Sequence, residues 1–148
     1  MRYLLALLLG TIIAVSAAYA QKTIKDYQRE RVAKLVSGNR TIVDETIRYP
    51  NEGPAKISSL ILTMQPGDET GWHTHGVPLF VYMLEGEIQT DYGPKGVRTY
   101  KKGDSLLEAM AVRHNSTNKS QVPARLLVVF MGAQGYDNVA REKAAALP

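Results

Sequence analysis

The feature that most constrains this chain is a succession of short β-forming runs broken by Gly and Pro. Thr41–Tyr49 is rich in Thr, Ile and Val and stops at Pro50. Lys56–Gln65 alternates in part, with Leu60, Leu62 and Met64 on one face, and stops at Pro66-Gly67. Leu79–Leu84, Ile88–Tyr92, Val97–Tyr100, Ser105–Glu108 and Arg125–Met131 follow, separated by Gly86, Gly93-Pro94, Gly103 and similar breaks. Strands at about 8–12-residue spacing with turn residues between them predict an all-β sandwich or barrel. Runs that are apolar on both faces predict a closed or double-layered sheet with a lined interior. No repeat, low-complexity tract or internal linker interrupts the pattern, so one domain is expected.

Length and composition agree. The chain has 148 residues, 45% hydrophobic and 22% charged, which is ordinary for a globular domain and excludes a disordered or fibrous one. With no cysteine there can be no disulfide, thiolate metal site, iron–sulfur cluster or cysteine nucleophile. The net charge is +4, but the basic residues are scattered and only two Phe and one Trp are present. Nucleic acid is therefore not an expected partner.

Residues 1–20 read as a secretory signal peptide. Arg2 is followed by an uncharged apolar run and by small residues at Ala18 and Ala20, ahead of the polar Gln21-Lys22. The competing reading is a membrane anchor, since Tyr3–Gln21 is long enough to span a bilayer. Gly10, Ser16 and the Ala-rich end favour cleavage after Ala20. No cysteine follows for lipid attachment, and no twin arginine precedes. The expectation is export to the periplasm, or secretion, with no stable membrane insertion after cleavage. Residues 21–40 read as an N-terminal arm or short helix, 41–132 as the β-domain and 133–148 as a C-terminal tail.

The chain has three histidines, and their spacing carries the chemistry. On a strand, His73 and His75 point to one face. Two imidazoles so placed can converge on one metal at about 2.0–2.1 Å per bond, as for zinc. A lone HxH pair is weak evidence. The third histidine, His114, follows 39 residues later, after another short strand and turn.

These residues resemble the cupin family. Its first motif is glycine, five residues, HxH, three or four residues, glutamate, six residues, glycine; Gly67, His73-Thr74-His75 and Gly86 fit that frame. Its second is glycine, five residues, proline, one, glycine, two, histidine, three, asparagine; Gly103, His114 and Asn118 fall on that spacing, with Ala109 and Ala111 at the proline and second glycine. The resemblance implies a double-stranded β-helix (jelly-roll) barrel. It also implies that His73, His75 and His114 are metal ligands for a divalent transition ion such as Zn, Cu, Ni, Mn or Fe. The chain departs from the pattern at Leu79, which stands where the first motif has its glutamate. Three imidazoles without a carboxylate leave an open coordination face, as in catalytic rather than structural zinc sites.

Glu108 is the carboxylate that calls for an explanation, because it stands at a strand end among apolar residues. It could ligate the metal, hold a ligand histidine or act as a general base; otherwise it is a solvated rim residue or a partner of Arg113. Trp72 should face away from the histidines and pack. Val77, Leu79, Val81 and Met83 share the histidines' parity and would line a pocket if Gly76 and Pro78 do not end the strand. Asn118 reads as a loop-fixing residue and Gly103-Asp104 as a turn.

The expected function is metal-dependent chemistry on a small oxygen-containing molecule, of oxygenase, isomerase or hydrolytic type, with Glu108 as the catalytic candidate. The alternatives are a non-catalytic module that binds or senses a small molecule or metal, and a structural barrel with vestigial histidines. Open sheet edges suggest a homodimer.

Overall fold

The structure, a computed structural model, describes residues 33–141. The signal-peptide reading of residues 1–20, the arm up to residue 32 and the tail from residue 142 lie outside the described residues. The chain divides into two units between Lys34 and Leu35, and the described β-structure belongs to the second.

Among the described residues there are nine strands, one 3-10 turn at Gly93–Lys95 and no α-helix. The all-β expectation holds. β1 (Ala55–Met64) runs antiparallel to β8 (Ala124–Ala133) along its whole length, with Ala55 opposite Ala133 and Met64 opposite Ala124. β3 (Leu79–Glu85) takes the other side of β8, and β6 (Ser105–Leu107) follows, so the first sheet has the order β1-β8-β3-β6. The second sheet is β5-β4-β7, made of Val97–Lys101, Glu87–Asp91 and Asn115–Thr117. Isolated bridges from Glu69 to Thr117 and from His73 to His114 join the segment entering β2 (His73–Thr74) to β7. β2 in turn pairs with β9 (Ala140–Arg141).

The alternation read from the sequence places the core. Alternate residues are buried along each strand: Leu79, Val81 and Met83 of β3, Leu126, Val128 and Phe130 of β8, and Ile88 and Thr90 of β4, with Tyr92 just after it. These are period-2 faces turned inward between two sheets. Gly86 makes the β3–β4 turn feasible, with φ at +68° and no room for a side chain: a Cβ there would meet the Pro123 carbonyl oxygen at 2.6 Å.

One expected strand is absent. Thr41–Tyr49 is a compact turn closed by a bridge between Arg40 and Thr46, not a strand. The Thr41 N–H donates to the Glu45 carbonyl at 2.9 Å, and Asp44 takes a left-handed φ of 72°, a conformation Asp tolerates better than most residues. Asp44 also pairs with Arg40. Local side-chain bonding by Thr and Asp outweighs the β-propensity of Ile42 and Val43. The turn is fixed to the barrel by the Ile42 N–H on the Leu107 carbonyl (2.7 Å) and by buried Val43.

Candidate metal centre

β2 and the segment before β7 bring two histidines together through the main chain. The His73 N–H donates to the His114 carbonyl and the His114 N–H to the His73 carbonyl, each at 3.0 Å. His75, two residues on, is tied down by its N–H on the Met110 carbonyl at 2.9 Å. The ring centroids lie 4.9 Å apart for His73–His75, 4.4 Å for His73–His114 and 5.1 Å for His75–His114. Each residue offers a donor atom, and the three lie within 4.8 Å of one another. The parity argument for His73 and His75 therefore holds, although regular strand geometry ends at Thr74.

One nitrogen of each ring, Nδ1, is already committed. Nδ1 of His73 donates to the Gly71 carbonyl (2.7 Å), that of His75 to the Asn138 carbonyl (2.8 Å) and that of His114 to the Val112 carbonyl (2.9 Å). A carbonyl only accepts, so each Nδ1 carries the proton and each Nε2 keeps its lone pair. Burial holds all three rings in the neutral form: it lowers the pKa of His73 and His114, and pushes His75 down to about 3. Buried neutral imidazoles with orienting partners are a donor set suited to a divalent transition ion.

The Asn138 carbonyl reaches His75 because Gly76 lets the chain around Asp137 pack against it. A Cβ at Gly76 would stand 2.6 Å from the Asp137 carbonyl oxygen. This contribution from the end of the chain had no signal in the sequence.

Glu108 is 7% exposed, so it is not a rim residue. Its Oε1 accepts the Tyr92 hydroxyl at 2.8 Å and the Ala109 N–H at 2.7 Å. The Tyr100 hydroxyl lies 2.9 Å from that of Tyr92, which extends the chain of bonds by one step. Burial drives the Glu108 pKa up to about 7, against the opposing pull of the Ala109 N–H and the Tyr92 hydroxyl. One role weighed for it is corrected: it does not hold a histidine Nδ1, because backbone carbonyls do so. The donor atoms that lie within 4.8 Å of one another are those of His73, His75 and His114. Tyr92, fully buried, was visible only as an inward position of the run Ile88, Thr90, Tyr92.

The histidines and Glu108 line a cavity of about 320 Å³. Most of its wall is apolar, including Leu62, Leu79, Val81, Leu106, Val128 and Phe130, and Arg141 is the one Lys or Arg among the lining residues. Leu79 thus presents a hydrocarbon surface where the motif has a carboxylate. Gly76 and Pro78 do end the strand, yet Val77 and Met83 are fully buried and Leu79 and Val81 line the cavity. Trp72 stacks under the Arg113 guanidinium, 4.6 Å from the ring centroid. Asn118 donates to the Met64 and Val122 carbonyls and accepts from Ser120, the loop-fixing role expected of it.

Residues 60–130 match the cupin domain family. The chain carries a cupin domain. Among solved structures, a Klebsiella pneumoniae protein described as having a double-stranded β-helix domain aligns with a TM-score of 0.50 and 21% identity, over 72% of this chain and 100% of that one. An oxalate decarboxylase of Lactobacillus farciminis, in its formate complex, aligns with a TM-score of 0.48 and 23% identity, over 57% of this chain. This chain spans only 26% of that protein's length. A Bacillus halodurans protein aligns with a TM-score of 0.49 and 17% identity, over 58% of this chain and 70% of that one. No curated protein sequence matches. Within this domain the three histidines and Glu108 line one cavity.

Proposed function

We propose that this is an exported cupin that holds one divalent transition metal through Nε2 of His73, His75 and His114. Its open side would take a small molecule with one oxygen-bearing end and an apolar body. The observation that carries this reading is the set of three buried neutral rings, each with Nδ1 committed to a carbonyl, with donor atoms within 4.8 Å of one another in the lining of a largely apolar cavity. A divalent ion there would supply Lewis-acid polarisation of a substrate oxygen. The chain's own residues do the rest. The hydrocarbon wall binds the substrate body and excludes water. Glu108, with Oε1 engaged by Tyr92 and Ala109, exchanges a proton at Oε2 near neutral pH. Oxygenation, isomerisation and hydrolysis are the reaction types open to such a site.

The sequence pattern of residues 1–20 supports export to the periplasm or beyond. A chain exported unfolded acquires its metal outside the cytoplasm, where imidazole sites follow intrinsic affinity and favour copper, nickel and zinc over iron(II) and manganese. β1 is an edge strand with Ile57, Leu60 and Ile61 exposed, and it is the surface we assign to a homodimer.

The test is calorimetric titration of the purified metal-free protein with zinc, copper and nickel, followed by turnover assays on small diketones, phenols and organic acids. One equivalent bound with turnover supports the enzyme, and binding without turnover makes the chain a binding module. No metal uptake ends the reading. Metal analysis of protein taken from its native compartment checks the metal order; stoichiometric iron would contradict it.

A further inference from the structure

The second cupin motif is weakened in this chain where it should be stiffest. Ala109 and Ala111 stand at the proline and second glycine positions, so the turn before His114 lacks the residue that presets φ. Yet that turn carries two anchors of the histidine centre. The Met110 carbonyl accepts the His75 N–H at 2.9 Å, and the Val112 carbonyl accepts His114 Nδ1 at 2.9 Å.

A carboxylate from a distant part of the chain grips this turn. Glu45 Oε2 accepts the Met110 N–H at 2.7 Å, and Oε1 accepts the N–H groups of Ala111 and Val112 at 2.8 and 2.7 Å. Three consecutive N–H groups on one carboxylate form an anion nest filled from within the protein. Glu45 is itself held: the Thr41 hydroxyl donates to Oε2 at 3.1 Å and accepts the Glu45 N–H at 3.0 Å. The loop bearing it is fastened to the barrel by the Ile42 N–H on the Leu107 carbonyl and by Arg98 on the Ile42 carbonyl.

We propose that Glu45 is a positioning residue for the histidine centre, fixing the Met110–Val112 turn whose carbonyls orient His75 and His114. It does in this chain what a stiff proline–glycine turn would do, by side-chain bonds rather than by backbone restriction. With the carboxylate gone, the three N–H groups turn to water and the Val112 carbonyl loses its fixed direction. His114 then samples both tautomers, and Nε2 is no longer held in its lone-pair form. This inference rests on the metal-centre reading only for its second readout.

The test uses the full-length, metal-free, 15N-labelled protein and compares wild type with Glu45→Ala and Glu45→Gln. Imidazole nitrogen shifts report each tautomer, and zinc titration reports affinity. In Glu45→Ala, His114 should show mixed tautomers while His73, anchored on Gly71, keeps its Nδ1–H form. Zinc affinity should fall about 10–100-fold. Glu45→Gln, which keeps one acceptor oxygen, should fall between the two. A general loss of stability alone would lower the melting temperature without singling out His114. Wild-type tautomers and zinc affinity in the variants would overturn the proposal, whatever the melting temperature. If Glu45→Ala does not fold, Glu45→Gln decides on the same two readouts. If wild type itself takes up no zinc, the tautomer comparison alone decides the role of Glu45, and titration with copper and nickel decides the metal reading separately.

Discussion

His73 and His114 exchange both of their backbone hydrogen bonds, at 3.0 Å in each direction, across the junction of β2 and the β7 segment. Two donors of the centre are therefore set by a sheet ladder and not by the ion they would share. The ladder needs only main-chain atoms, so either side chain can be removed without removing the pairing. His73→Ala and His114→Ala should each lower zinc affinity by more than about 100-fold, a larger loss than removing an orienting partner causes. The metal-free fold should stay intact by circular dichroism. A variant that unfolds would show that the rings themselves hold the two segments together.

Leu79 occupies the position of the missing motif carboxylate and lines the cavity with the three histidines. Leu79→Glu should raise zinc affinity at least about tenfold by adding a fourth donor of opposite charge. The same change should lower the melting temperature of the metal-free protein, because it buries an unpaired carboxylate. Titration and thermal unfolding check the two halves separately. Unchanged affinity would mean that residue 79 does not point at the centre.

The strand pattern from Lys56 to Met131 was legible because each run alternates between an inward and an outward face, and the three histidines were legible because their spacing matches both cupin motifs. What could not be read is what the fold brings from far away. Asn138 and Glu45 act through contacts spanning 63 to 67 residues, one of them through a backbone carbonyl that has no side-chain signature. Thr41–Tyr49 was misread because β-branched residues dominate it, whereas hydrogen bonds from Thr41 and a left-handed Asp44 close it into a turn.

Gly76 tests whether the Asp137–Asn138 segment belongs to the centre. Gly76→Ala sets a Cβ against the Asp137 carbonyl at 2.6 Å, so the segment carrying Asn138 must move. The His75 Nδ1 bond then lengthens or breaks. Zinc affinity should drop about 10–100-fold, with a stability loss of about 1–3 kcal/mol from the overpacking. A loss of stability with unchanged affinity would separate the Asn138 contact from metal binding.

The pH dependence of stability separates Glu108 from the histidines, because the two kinds of group act with opposite sign. Glu108 has its pKa raised from 4.5 to about 7 by burial, so the folded state binds more protons than the unfolded state between those values. Its contribution is full below about 4.5 and is lost as pH rises through 7. The histidines have lowered values; their contribution is present above 6.5 and is lost as pH falls, toward about 3 for His75. Glu108→Gln removes the first effect and keeps an oxygen to accept from Tyr92 and Ala109. In metal-free protein, the stability of Glu108→Gln relative to wild type should therefore rise between pH 4.5 and 7, by up to about 3 kcal/mol. Denaturant unfolding of both proteins across that range checks it. A constant difference would mean that Glu108 ionises in the folded protein as readily as in water, and that it is not the group exchanging a proton in the cavity near neutral pH.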